Sequence, residues 1–398
     1  MSVVNRLVVL LPGFEHMPVE AHHRRFMREA TKTAPVYDMA LREVGALKVA
    51  SAGDAVSVGE FRLLAAGNNW STQTDFVLYG LGDINLFYAA RNPVTRVLSG
   101  ILALIDFIIT GTFFRFVTTS WRYALFFLYP LVIMAAIIGL ALGAGRVVEE
   151  FIDGGTITPL GVSMAAGLAL VVLAARKMHF LLLMDDWTFA RDMARDRRPD
   201  ITAKLQYVIA NAATRISNAP ADTEIVVAAH SMGAICALQI LDKALQTNNA
   251  RRYGLLTVGS SLLKIAFHPA ANALRKSVAA VARSHTVWID AQSLTDPMNF
   301  YKSDPVRDLN ITNAEPPVLV RVRFRNQLCD ETYKSIRRNF FRVHRQFVYG
   351  VEKRTAYSWH AILCGPESFI DVAARGGLPC DNASCAQAAL KVPEIAPV

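Results

Sequence analysis

The sequence predicts an α/β fold: a mostly parallel sheet with helices on both faces, interrupted by an α-helical transmembrane insertion. Three observations carry this expectation. Short apolar runs alternate with helix-period segments at both ends of the chain. Between them, two uncharged stretches are long enough to cross a bilayer. A turn of small residues around Ser231 then joins an apolar run directly to a helical segment.

Taken in order, Leu7-Val8-Val9-Leu10-Leu11 runs into Pro12-Gly13 and reads as a buried strand. It has neither the charged start nor the small-residue cleavage site of a signal peptide, so the domain is expected to stay on the side where it is made. A helix is expected over 19–33, then a segment without a clear period, then a strand over 75–79. Beyond the insertion come strands over 224–229 and 254–259, a helix over 271–283, and strands over 286–289 and 317–324. The sheet domain should therefore comprise residues 1–90 and 200–374, with the membrane insertion at 91–199. The tail from 375 to 398, rich in Pro, Gly and Ala, should be weakly ordered.

Within the insertion, residues 123–145 carry no charge and would form a helix about 34 Å long, against a bilayer core of about 30 Å. Trp121 and Arg122 stand at its start as interface anchors. A second uncharged stretch, 157–175, is rich in Ala and Gly, which suits close helix packing, and ends at Arg176-Lys177. Residues 101–116, apolar except for Asp106 and Arg115, read as an interfacial or re-entrant helix. Residues 178–189 extend from the second span as a helix able to cover the site. The arginines that follow, Arg191, Arg195, Arg197 and Arg198, face either headgroups or solvent. Arg115 and Arg122 before the hairpin, with Arg176 and Lys177 after it, outweigh Arg146, which sits among Glu149, Glu150 and Asp153. The positive-inside bias therefore expects both outer ends, and the sheet domain, in the cytoplasm at the inner or plasma membrane.

Composition agrees with lipid contact. The 398 residues are 53% hydrophobic with a net charge of +9, a pI near 9.4 and a mean hydropathy of +0.27. A basic chain favours nucleic acid or an anionic leaflet; with apolar spans and no nucleic-acid motif, the bilayer is the expected partner and nucleic acid is not. Oligomerisation is left open. Five scattered cysteines, Cys236, Cys329, Cys364, Cys380 and Cys385, fit reduced thiols better than a disulfide framework, and their spacing is not that of a zinc site. No metal or organic cofactor is expected.

The chemistry is expected at Ala228-Ala229-His230-Ser231-Met232-Gly233-Ala234, between the apolar run ending at Ala229 and a helical segment over 234–245. Small residues two before and two after a serine allow the sharp turn that holds its hydroxyl clear of a sheet. The segment reads A-x-S-x-G, with Ala229 in place of a first glycine. It resembles the nucleophile elbow of the α/β-hydrolase superfamily, in particular its lipases and esterases, some of which carry Ala at that position. The resemblance implies an α/β-hydrolase-type sheet, a Ser…Asp/Glu…His triad in that chain order, and hydrolysis of an ester, thioester or amide.

Within that resemblance Ser231 is the nucleophile, and the backbone amides of Met232 and of Phe14, in Leu11-Pro12-Gly13-Phe14, are the oxyanion donors. The acid should follow the strand Val287-Trp288-Ile289; Asp296, in Thr295-Asp296-Pro297-Met298, is preferred, with Asp290 and Asp304 as alternatives. The base should lie beyond the last strand: His344 is preferred and His360 is the alternative. His16, His22, His23, His179, His268 and His285 fall in the wrong part of the order, and His230 belongs to the turn. The expected protein is a membrane-embedded serine hydrolase, an esterase or lipase (or thioesterase) cleaving an acyl ester, lipid or lipid-like. The competing class is a non-catalytic binding or scaffolding protein that retains the fold.

Overall fold

The computed structural model describes residues 2–52, 56–151 and 157–380. Among them nine strands form one sheet: β1 (Asn5–Leu11), β2 (Ala40–Glu43), β3 (Lys48–Ala52), β4 (Val56–Gly67), β5 (Trp70–Tyr79), β6 (Glu224–His230), β7 (Gly254–Val258), β8 (Val287–Gln292) and β9 (Val318–Arg321). The order is β2-β4-β5-β1-β6-β7-β8-β9, with β3 also on β4. From β5 to β9 every pairing is parallel. The chain is thus mixed α/β with a mostly parallel central sheet.

Period-2 alternation sorts the strand residues between two cores. Val9, Leu11, Val227 and Ala229 face one core, which the helices Pro199–Ser217, Gly233–Thr247 and Asn272–Ala282 complete. Val8, Leu10, Val226 and Ala228 face the other, covered by Val19–Thr33 and Trp359–Cys364. The segment without a clear period is the antiparallel edge made by β2, β3 and β4. In β4 the alternation is interrupted where Val58 and Gly59 are both buried, which blurs the strand signal.

Two helices, Tyr129–Phe151 and Thr158–Ala175, are long and apolar enough to cross a membrane. They pack closely: a Cβ on Gly145 would stand 2.7 Å from the Pro159 carbonyl oxygen and collide with the Ser163 side chain. This is the small-residue contact expected between membrane helices. The first span begins six residues later than the expected 123–145. The cause is packing: Trp121–Phe127 is a separate short helix whose Tyr123, Ala124 and Phe127 are buried in the protein core. Tyr123 stacks on Phe300 with ring centroids 3.8 Å apart. Three of the apolar residues in 121–127 thus serve the core, and the long apolar helix extends to Phe151 past Arg146, Glu149 and Glu150, which are exposed near its end. Asp153 in the connection, Cys385 and the tail from 381 to 398 lie outside the described residues.

The expected interfacial helix over 101–116 is two helices, Pro93–Ile109 and Thr112–Thr119, broken at Gly111. The first buries Gly100, Ala103, Leu104 and Phe107 and exposes Leu98, Leu102, Ile105 and Ile109. The helix after the hairpin, Phe180–Arg195, is buried along most of its length. Ion pairs fasten it: Asp185 accepts from Arg91 and Arg96, Asp186 meets Lys264, and Arg195 meets Asp106, which also bonds His268. Arg198 pairs with Asp200 and Arg191 with Asp192, so three of the four arginines expected at headgroups or solvent have carboxylate partners within the protein. Cys236, Cys329 and Cys364 are free. Cys380 is disulfide-bonded, a departure from the expectation of reduced thiols throughout. The wide scatter of the other cysteines carried no signal for a bond at the chain's end.

The fully buried Asp185 carboxylate, held by two guanidinium groups, gives the first prediction. Asp185→Ala should destabilise the protein by about 3–5 kcal/mol, because it strands two partly buried cations. Thermal unfolding in detergent checks this, and an unchanged Tm would count against it.

Candidate active site

Parallel pairing of β1 with β6, in the register Leu11↔Ala229, brings their carboxyl ends side by side. Open parallel sheets place ligand sites at such ends, where chain direction across the sheet reverses. Here the two neighbouring loops are Pro12-Gly13-Phe14 and the turn at Ser231.

Ser231 follows β6 and adopts φ 55, a left-handed conformation uncommon for a residue with a side chain. The turn is held on both sides. The Ser231 amide donates to the Val258 carbonyl at 3.0 Å, and its carbonyl accepts from the amides of Ser261 and Ala234, each at 3.3 Å. The helix Gly233–Thr247 starts two residues later. A Cβ at Gly13 would stand 2.9 Å from the Ser231 Cβ, so only glycine lets the β1 loop lie against this turn. Neither the Phe14 nor the Met232 amide donates to an acceptor among the described residues.

His344 and Asp296 are brought together. His344 sits in the last turn of the short helix Phe340–Arg345, and its Nδ1 lies 2.7 Å from Asp296 Oδ2. Both residues are buried. Asp296 is fixed in turn: its Oδ1 accepts from the Met298 amide at 2.9 Å, and its carbonyl accepts from Asn299 Nδ2 at 2.6 Å. With Asp296 Oδ2 as the acceptor, the Nδ1 proton faces the carboxylate and Nε2 is left as the ring's acceptor. Nε2 is buried and has no hydrogen-bond partner among the described residues.

The two halves of the site meet through the loop after β7. A Cβ on Gly259 would stand 3.2 Å from His344 Cε1, and Ser261 Oγ lies 3.4 Å from Ser231 Oγ. His230, beside the serine, packs its ring 4.6 Å from that of His344 and donates from Nε2 to the His344 carbonyl at 3.2 Å. Burial, with His344 close by, holds the His230 pKa well below its usual value, so the ring is neutral and acts as a spacer. Ser231 and His344 do not bond directly here; the hydroxyl is turned to Ser261.

Other candidates take different places. Asp290 lies within β8, which runs three residues further than expected, and bonds Thr257 and Gln292 at 2.6 and 2.7 Å; burial raises its pKa to about 6. Asp304 caps the helix Pro305–Asp308, accepting from the amides of Val306 and Arg307. His360 is packed 4.9 Å from the Phe26 ring in the opposite core, and burial lowers its pKa to about 3.

Sequence reasoning missed Ser261 and the cluster around Glu15. Glu15 directly follows Phe14 and bonds Arg25 at 2.8 Å and Arg345 at 2.9 Å, the latter being the residue after His344. One carboxylate thus ties the β1 loop to the His344 helix. Burial raises the Glu15 pKa, but Arg25 overrides it and the net value falls to about 2. The available signal was local: a charged residue two positions past a glycine at a strand's carboxyl end, and the small pair Ser260-Ser261 after β7. Phe14 itself packs on Phe189 of the helix beyond the hairpin, ring centroids 5.2 Å apart. The cavity they share with Gly13 and Met232 is only about 20 Å³. Among the described residues no group of three or more His, Cys, Asp or Glu is placed to hold a metal.

Compared with known proteins, the chain matches no family model, no curated protein and no solved structure.

The Glu15 clamp predicts an acid-side effect. Its folded pKa is depressed from 4.5 to about 2, so its stabilisation is complete above about 4.5 and is lost as pH falls toward 2, in all about 3 kcal/mol. Glu15→Gln should remove that slope, read as unfolding free energy against pH between about 5 and 2.

Proposed function

We propose that this protein is a membrane-embedded serine hydrolase of α/β-hydrolase type that cleaves a carboxylic ester of a lipid or lipid-like molecule. One observation carries the reading: a buried carboxylate–imidazole pair, Asp296 and His344, beside a serine held at positive φ between a strand and a helix. Buried Asp–His pairs also occur for structural reasons. A free Nε2 next to a strained serine turn with two amides lacking acceptors is a much narrower arrangement.

In this reading the Ser231 hydroxyl turns from Ser261 toward His344 Nε2, which takes its proton as Oγ attacks the carbonyl carbon. Asp296 holds the imidazole in the required tautomer and stabilises the imidazolium. The Phe14 and Met232 amides take the negative charge that forms on the carbonyl oxygen. His344 returns the proton to the leaving alcohol, and water, activated by the same ring, releases the acid. The cavity between Phe14 and Phe189, beside both amide donors, is small as it stands, and a shift of the helix Phe180–Arg195 or of the Phe189 side chain would widen it for an ester. That closure is also the observation behind the second reading, a binding or scaffolding protein with a silent site.

The two readings separate on activity. Purified protein should label with a fluorophosphonate probe and hydrolyse short p-nitrophenyl esters. Ser231→Ala should lose both, and His344→Ala should lose about 10⁴-fold in turnover, whereas His360→Ala should stay close to wild type. Hydrolysis retained in Ser231→Ala would end the enzyme reading.

The two spans support residence in a membrane, and the basic flanks support a cytoplasmic sheet domain. Single cysteines at Glu150 and Lys204, with the native cysteines replaced, should then differ toward an impermeant maleimide on intact cells. Position 150 should react and position 204 should not. The reverse would place the sheet domain outside.

A further inference from the structure

Between the foot of the first span and the helix that carries His344 lies an open groove of about 620 Å³. One wall is Trp121, Leu125 and Tyr129, and Tyr129 is the first residue of the spanning helix Tyr129–Phe151. Across from it stand Leu294, Phe340 and Val343. Trp121 and Leu125 are each 61% exposed, so the groove keeps an open, apolar lip. Two of its lining residues, Pro297 and Val343, are the chain neighbours of Asp296 and His344, which do not line it themselves.

Charge at the groove has one sign. Arg122 and Arg337 line it, and no carboxylate does. Arg122 is exposed and makes one polar contact, to the Leu294 carbonyl at 3.3 Å, with its guanidinium 5.2 Å from the Trp121 ring. Arg337 is exposed and has no side-chain polar partner among the described residues. This contrasts with Arg91, Arg96, Arg195 and Arg198 of the same region, each paired with an aspartate. An apolar slot at the level of a span's first turn, edged by two uncompensated guanidinium groups, matches an anionic amphiphile.

We propose that the groove binds one anionic phospholipid of the leaflet facing the sheet domain. Its acyl chain would lie along the Leu125–Phe340 walls and its phosphate between Arg122 and Arg337. As a statement about substrate class this rests on the hydrolase reading, with the ester of the bound lipid held next to Asp296 and His344. As a statement about binding it stands alone.

The test uses the full-length Ser231→Ala protein, so that binding is read without turnover. It is reconstituted in phosphatidylcholine nanodiscs doped with phosphatidylglycerol bearing a diazirine on one acyl chain, and crosslinks are mapped by mass spectrometry. Labelling should concentrate on peptides containing Leu125, Leu294 and Phe340. Arg122→Ala combined with Arg337→Ala should cut it at least about fivefold, since both charge-assisted contacts to the phosphate are removed. Both arginines are exposed, so folding should be unaffected. Leu125→Trp, which narrows the slot and keeps both charges, should also reduce labelling. Equal labelling by the matching phosphatidylcholine probe, or labelling confined to the two spanning helices, would overturn the proposal. Fluorophosphonate labelling of the wild type reports separately on the serine: groove labelling without it would leave an anionic-lipid binding site and remove the enzyme.

Discussion

The parallel pairing of β1 with β6 is the constraint on which the site depends. It joins a strand at the start of the chain to one beyond the membrane insertion, and its register places Gly13 against Ser231. The candidate site is assembled around that contact. The serine turn is anchored to β7 through the Val258 carbonyl, the loop after β7 carries Gly259 against His344, and Glu15 returns from the β1 loop to Arg345. A shift of one residue between β1 and β6 would send these side chains to the opposite faces of the sheet and dissolve the site.

Much of this was legible in the residues themselves. The strands around Val8 and Val226 are buried on both faces and therefore appear as unbroken apolar runs, and the elbow stands between such a run and a helix. Asp296 was readable as an Asp-Pro turn after a strand, and the structure places it 2.7 Å from the histidine that chain order favoured. The limits were physical. Residues 123–127 are as apolar as a span, and only tertiary packing places Tyr123, Ala124 and Phe127 in the core. Asp290 looked like a loop residue because β8 carries polar side chains, Asp290 and Gln292, that satisfy each other inside the sheet. Of the Glu15–Arg345 clamp only the charged residue after Gly13-Phe14 is visible locally, and its partner far along the chain is not.

The insertion is bound to the sheet domain by more than apolar contact. Asp186 pairs with Lys264, Asp106 bonds His268 and Phe189 reaches the loop that carries Phe14, while Asp185–Arg96 and Asp106–Arg195 hold the insertion's own helices together. Buried pairs of this kind contribute little net stability compared with apolar packing but fix one arrangement, because a misplaced partner leaves a charge without compensation. The helix Phe180–Arg195 therefore works as a joint between the two long apolar helices and the sheet domain. Its start is marked by His179 in a left-handed conformation that ends the second spanning helix and redirects the chain.

The place of the insertion in the chain also sets an order of assembly. β1 has its neighbour β5 early, but its other edge waits for β6, which emerges roughly two hundred residues later, after both spans. During synthesis the apolar edge Leu7–Leu11 is an unpaired template of the kind that recruits foreign strands. Both long apolar helices are thus made before the sheet can close, and a chain halted between β5 and β6 would display an incomplete sheet with one open edge.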